Sequence, residues 1–207
     1  MEYTDKEYCL EVWGPMACFT RPELKVERVS YDVITPSAAR AIFEAILFKK
    51  YAMRWQVTQI EVLNPIRWMS VRRNEVGAVA TPKSTGIYVE DKRQQKNSLM
   101  LKDVHYRLWA KLVFIPVCAR PKEAFAKHAR RASQGQCFPQ PYLGTRECAA
   151  SFRWVHPETD DLCPALPAEQ GGNRELGIML YDMDFSQPKN IQALFYRAEM
   201  KNGVIVV

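Results

Sequence analysis

Lys127 and His128 stand side by side in the stretch Pro121-Lys122-Glu123-Ala124-Phe125-Ala126-Lys127-His128-Ala129-Arg130-Arg131-Ala132, which joins a helical apolar stripe to a dense positive face. Between Ala119 and Gly135 five cations (Arg120, Lys122, Lys127, Arg130, Arg131) meet Glu123 alone, so much of the chain's net charge of +6 is concentrated here. Histidine titrates near neutrality and can give or take a proton at physiological pH. An ammonium beside it can stabilise the negative charge that builds on phosphorus during phosphodiester cleavage. The pair therefore suits general acid-base cleavage of RNA, in which the substrate's own 2′-hydroxyl attacks and no metal is required. A plainer role fits the same spacing. His128 follows Phe125 by three residues, and consecutive helical side chains point about 100° apart, so His128 can instead pack in a core while Lys127 faces water. Periodicity leaves both roles open.

The chain that must position this pair has 207 residues and 47% hydrophobic content, enough for one large domain or two small ones with a proper core. No apolar run approaches the roughly 18 residues that span a bilayer, and Met1-Glu2-Tyr3-Thr4-Asp5 lacks the pattern of a signal peptide, so the expectation is a cytoplasmic protein. In that compartment the six cysteines read as reduced structural thiols, since they form no CxxC pair and no zinc-spaced Cys/His cluster. A positive balance with five Trp, nine Tyr and nine Phe suits a nucleic-acid partner, whose phosphates attract cations and whose bases stack on rings. Glycine-rich phosphate loops, HExxH and an assembled Ser/His/Asp set are absent.

Taken in order, Tyr8, Leu10 and Val12 alternate as a first strand. Thr35-Pro36 caps and opens a helix whose stripe is Ala38, Ala39, Ile42, Phe43 and Ile46, closed by Phe48-Lys49-Lys50. Met53, Trp55 and Val57 alternate in one phase and Ile60 and Val62 in the other, which predicts a bulge near Thr58. Ile66 to Arg73 is a further strand. The segment 77–102 reads as a long basic loop or protruding hairpin. Val104 to Ile115 is the clearest strand, with His105, Arg107, Trp109 and Lys111 on its polar face, a surface able to hold single-stranded RNA or to lie under other parts of the fold. The basic helix follows. This order predicts an α+β, ferredoxin-like (RRM-like) domain over residues 1–135, with a C-terminal antiparallel β-sheet extension over 136–207. Within that extension the acidic, proline-rich segment 156–172 is expected to be mobile, and Asn202-Gly203 signals a hairpin.

Four separated segments bring a family into view: Ser30-Tyr31-Asp32-Val33 with Thr35-Pro36-Ser37-Ala38-Ala39-Arg40; Asn64-Pro65-Ile66-Arg67 with Arg72-Arg73-Asn74-Glu75-Val76-Gly77; Leu101-Lys102-Asp103-Val104-His105-Tyr106; and Leu143-Gly144-Thr145-Arg146-Glu147-Cys148. Together they resemble the subtype I-C member of CRISPR-associated protein family five. The resemblance implies an endoribonuclease that cuts the stem-loop of precursor CRISPR RNA without metal or other cofactor, leaving a 2′,3′-cyclic phosphate. It also implies retention of the guide's 5′ handle beside the backbone and large subunits of a Cascade-type complex. The family's adjacent lysine and histidine match Lys127 and His128, whereas its tyrosine at the end of the first helix falls on Leu47, with Tyr51 the nearest phenol. Arg67, Arg72, Arg73, Lys83, Lys92, Arg93, Arg107, Lys111, Arg130, Arg131 and Arg146 are the expected RNA contacts. Two alternatives stand beside this reading: a non-catalytic subunit that binds the RNA handle, and a metal-assisted or non-specific nuclease that also takes duplex DNA.

Overall fold

The computed structural model describes residues 3–24, 26–48, 53–82, 86–114, 121–187 and 190–207, and it is a mostly antiparallel β structure with few helices. The first strand, β1 (Tyr3–Ala17), precedes helix α1 (Pro36–Ile46), and β2 (Met53–Val62) and β3 (Arg67–Val76) follow it. The short α2 (Val89–Lys92) leads into the long β4 (Arg93–Phe114), then helix α3 (Pro121–Ser133) and β5 (Ser151–Val155). The remainder is β6 (Arg174–Asp184), β7 (Gln192–Met200) and β8 (Val204–Val206). The main sheet has the order β5-β1-β4-β2-β8, β3 pairs with the first half of β4, and β6 and β7 form a separate two-stranded sheet.

Alternation explains the sheet. Leu10 lies opposite Leu108, Trp55 opposite Leu112 and Val57 opposite Ala110, so the apolar positions of three strands share one face. The register shifts between Val57 and Gln59, which returns Ile60 and Val62 to that face. The expected bulge is therefore present, and the change of hydrophobic phase is its cause. Helix α1 covers this face with Ala39, Ile42, Phe43 and Ile46, all buried. Burying a side chain of this size contributes about 1.5–3 kcal/mol. Thr35 accepts the Ala38 N–H at 3.3 Å, and Pro36 occupies the first turn, where its missing N–H costs nothing.

The segment 77–102 is not one loop. Its second half continues β4 outward to pair with β3, from Arg67 opposite Lys102 to Val76 opposite Arg93, and makes a two-stranded arm. The C-terminal third is also less separate than expected. β5 pairs with β1 and β8 pairs with β2, so chain beyond residue 135 supplies both edges of the main sheet. Asn202 and Gly203 do turn the chain, with φ of 50° and 76°, but the strand they lead into joins β2 instead of forming a ladder with β7. The acidic segment 156–172, expected to be mobile, is fastened. Leu166 is buried and donates its N–H to the Val62 carbonyl at 2.8 Å, and the Cys163 carbonyl accepts from Arg107 at 2.7 Å.

Gly144 shows why one of the family-like segments needs its glycine. Its φ is 88°, and a Cβ there would lie 2.0 Å from the Cys18 carbonyl oxygen, while the neighbouring Leu143 carbonyl accepts the Cys18 N–H at 3.0 Å. Asp182 of β6 fastens the small sheet to the large one, receiving Arg40 of α1 at 2.9 Å and Arg54 of β2 at 2.5 Å.

Candidate active site and nucleic-acid interface

Helix α3 lies against the C-terminal end of α1 and against β5. Arg131 makes the join with α1: its Nε donates to the Ile46 carbonyl at 2.8 Å, and its guanidinium lies 4.1 Å from the centre of the Phe138 ring. A cation at this end satisfies a carbonyl that the helix leaves unpaired and complements its dipole. The two places named by the sequence, the end of the first helix and the lysine-histidine pair, are thus neighbours in the fold.

Within this seam the two members of the pair part company. Lys127 is exposed, as is Arg130. His128 has no exposed surface and fills a box of rings, with centroids at 4.4 Å from Trp55, 5.4 Å from Tyr8, 5.7 Å from Trp154 and 6.1 Å from Phe43. Neither ring nitrogen has a hydrogen-bond partner among the described residues. Burial, with the nearby Arg131 adding to it, pushes its pKa down to about 3, so the imidazole is neutral at pH 7. Of the two roles the sequence left open, the structure shows His128 packed beneath the positive surface, with Trp154 of β5 beside its ring. Leu47 is also core, 2% exposed, with its carbonyl 3.3 Å from the Trp55 indole nitrogen, which donates to it. Lys49, Lys50, Tyr51 and Lys83 lie outside the described residues.

The expected cationic contacts sort by environment. Arg67, Arg72, Lys92 and Arg93 are exposed along the β3–β4 arm, Arg146 is exposed beside the Gly144 turn, and Lys111 is half-exposed, 3.9 Å from Glu7. Arg73 is half-buried between Glu75 at 2.8 Å and Glu147 at 3.3 Å, which leaves it bridging the arm to the body. Arg107 does not face outward. It is 3% exposed, ion-paired with Glu61 at 2.5 Å and roofed by the Cys163 carbonyl, because the segment after β5 folds across that part of the sheet. The sequence reading missed the acceptors on this face, Glu11 and Glu61. Their signal was the charge complementarity of neighbouring strands, with Glu11 on β1 and Glu61 on β2 each opposite Arg107 on β4. Among the described residues no three His, Cys, Asp or Glu side chains come together as a metal-holding group.

The family described as Cas5d, CRISPR-associated protein (Cas_Cas5), matches residues 7–207. This chain belongs to the Cas5d family. A Cas5d of Mannheimia succiniciproducens, named CRISPR pre-crRNA endoribonuclease Cas5d, is 47% identical over 214 residues, covering 96% of this chain and 93% of the relative. Among solved structures, a crystal structure of a CRISPR-associated protein superposes with a TM-score of 0.74 at 25% identity, covering 100% of this chain and 93% of the other. A chain of a CRISPR RNA-guided surveillance complex shares the fold at a TM-score of 0.58 and 15% identity, covering 98% and 91%. The Cas5d match spans both sheets and α3, so seam, arm and outer sheet face all lie within the family's shared region.

Proposed function

We propose that the chain is a pre-crRNA endoribonuclease, the activity for which its Mannheimia relative is named. The observation that carries this reading is 47% identity across 96% of the chain. Its strand order β5-β1-β4-β2, with α1 and α3 as the two crossovers, supports the finer ferredoxin-like reading, and β3, β6, β7 and β8 are additions to that frame. The exposed cations of the arm, with Arg130 and Arg146, grip the repeat stem-loop by its phosphates. The protein acts in the cytoplasm and stays with its product inside a Cascade-type complex. Among the described residues no helix is long and apolar enough to cross a membrane.

Cleavage takes place at the seam between α1 and α3. The 2′-oxygen attacks phosphorus and loses its proton to the imidazole of His128. The bond from phosphorus to the 5′-oxygen breaks, the imidazolium of His128 returns its proton to that oxygen, and a 2′,3′-cyclic phosphate and a 5′-hydroxyl result. Lys127 stabilises the extra negative charge on phosphorus. For this chemistry His128 leaves its ring box as α3 rolls outward about the Arg131–Ile46 tether, and in water its pKa returns toward about 6.5. The two buried ring nitrogens, without a partner among the described residues, support this reading, because a buried polar atom without a partner costs about 1–3 kcal/mol and calls for an explanation other than packing.

The test is cleavage of the cognate repeat RNA in chelator by wild type, Lys127→Ala and His128→Phe. Phenylalanine keeps the box filled, so loss of cutting reports chemistry and not collapse. A His128→Phe protein that cuts at the wild-type rate overturns the site. The burial of both His128 and Leu47 favours a second reading, a subunit that binds the RNA handle without cutting it. Tight repeat binding with no cleavage in chelator or in magnesium selects that one.

A further inference from the structure

The sheet face turned away from α1 and α3 carries a groove of about 570 Å³ lined by Glu11, Trp13, Asn64, Asp103, His105 and Arg153. Register builds it. Glu11 lies opposite Arg107 on one side and Arg153 on the other, and Trp13 lies opposite His105, so three strands contribute side chains to one patch. Glu11 is 3% exposed, yet it is a carboxylate. One oxygen lies 3.1 Å from His105 Nε2 and the other accepts from Arg153 Nε. A buried carboxylate on a sheet face is costly unless it is matched, and it is strongly held when it is.

The geometry divides the work within this cluster. His105 Nε2 is buried, facing Glu11 at 3.1 Å without a well-aligned hydrogen bond. His105 lines the open groove, and its side chain is 29% exposed. Burial lowers the His105 pKa, Arg107 and Arg153 push the same way and Glu11 opposes them, so the ring is neutral near pH 7. With its proton on Nε2 toward the carboxylate, the lone pair sits on Nδ1, the arrangement of a general base held by a carboxylate. Arg153 is half-exposed on the edge strand, and its terminal nitrogens stay available beyond the bond that Nε makes. The Trp13 ring, 38% exposed, stands 5.9 Å from the imidazole and edge-on to it, a surface on which a base can stack. Asp103 forms the groove's rim with φ of 52°, its carbonyl held by Asn64 at 2.8 Å. Left-handed backbone at a residue other than glycine recurs at functional sites.

We propose that this groove is a second phosphodiester-cleaving centre, acting on unpaired RNA laid over the sheet face with a base on Trp13 and a phosphate on Arg153. The inference rests on the reading that the chain binds RNA, but not on the seam. His105 Nδ1 takes the proton of a 2′-hydroxyl while that oxygen bonds to phosphorus. The bond to the 5′-oxygen breaks, and water gives that oxygen a proton. The hydroxide so formed recovers the proton from His105, leaving a 2′,3′-cyclic phosphate and a 5′-hydroxyl. Glu11 is a positioning residue: its carboxylate, 3.1 Å from Nε2, draws the imidazole proton to that nitrogen by charge and leaves the lone pair on Nδ1.

The experiment uses a labelled oligoribonucleotide without secondary structure and, separately, the repeat stem-loop, both in chelator. The expected result is cutting of the unpaired RNA by wild type with cyclic phosphate ends, lost when the 2′-hydroxyl at the scissile position is replaced by hydrogen. His105→Ala and His105→Asn slow it by about 10² or more. Arg153→Lys raises KM more than it lowers kcat, and Trp13→Ala weakens binding of the unpaired RNA. Should His105→Ala fail to fold, the asparagine variant, matched to wild type by circular dichroism and melting, decides the matter. Wild-type cutting of the stem-loop alone, or full cutting of unpaired RNA by the His105 variants, overturns the proposal while leaving the seam untouched. If His128→Phe cuts the stem-loop normally and His105→Asn abolishes cutting of both RNAs, the seam assignment falls and the groove is the ribonuclease centre.

Discussion

Arg131 holds the last turn of α1 by donating from Nε to the Ile46 carbonyl at 2.8 Å, one turn away from the residue that buries its imidazole under Trp154. The tether joins the two helices at the point where the proposed chemistry needs them adjustable. Replacing Arg131 by alanine removes a charged donor and a ring contact together. The expected cost is about 1–3 kcal/mol in urea unfolding, as for a hydrogen bond to a charged group. Arg131→Lys recovers only part of this, since an ammonium cannot donate to the carbonyl and lie flat over Phe138 at once.

His128 gives stability a dependence on pH whose sign is fixed. Its folded pKa, about 3, lies below the unfolded value of about 6.5, so between them the unfolded chain binds a proton that the folded chain refuses. Stability is full above pH 6.5 and falls by up to about 1.4 kcal/mol per pH unit as pH drops below it. The pKa of His105 is lowered too, and those of Asp182, Glu75 and Glu147 are held down, so each adds a fall in the same direction. The contrast between wild type and His128→Phe isolates one group. Urea midpoints from pH 7.5 to 5 should fall more steeply in wild type, and parallel curves would contradict the burial.

Leu47 tests whether a phenol can be restored at the end of α1. The leucine side chain is 2% exposed beneath the sheet-facing side of the helix, so a tyrosine placed there enters a filled core. Leu47→Tyr should destabilise the fold by about 1–3 kcal/mol and give no rise in repeat cleavage. A variant that cuts faster than wild type would show that residue 47 reaches the RNA.

Much of this architecture was legible because local chemistry and tertiary packing agree. Thr35-Pro36 caps α1, the change of phase around Thr58 is a bulge, and the alternation from Val104 onward is the centre of the sheet. The first half of β4 was not legible. Both faces of the arm there meet solvent, so Gln94, Gln95, Lys96 and Asn97 show no apolar alternation. At the seam, periodicity left both roles of His128 open, because it could not show that Trp154, 26 positions on, packs against its ring. Arg107 is a similar case, since the polar face of a strand does not show which distant segment covers it.

Asp182 links three elements through two arginines, and its carboxyl is held below the usual range mainly by Arg40 against the cost of burial. Asp182→Ala leaves Arg40, itself largely buried and also paired with Glu44 at 2.6 Å, partly unmatched. Removing one partner of a buried pair costs about 3–5 kcal/mol. Limited proteolysis should then cut first around the β6–β7 sheet, while the β5-β1-β4-β2 core resists.

Arg72 and Arg107 separate phosphate contact from structural charge in a single experiment. Arg72 is exposed on the arm, whereas Arg107 is locked to Glu61 and the Cys163 carbonyl. Each cation that meets a phosphate steepens the loss of affinity with salt, and removing one lowers the slope of log K against log salt by about 1. Arg72→Ala should therefore flatten that slope for repeat RNA and leave the melting temperature near wild type. Arg107→Ala should do the reverse, leaving the slope alone and lowering the melting temperature, because Glu61 is left buried without its charge partner. If Arg107→Ala flattens the slope at unchanged stability, Arg107 meets RNA and the covering segment 156–172 opens when RNA binds.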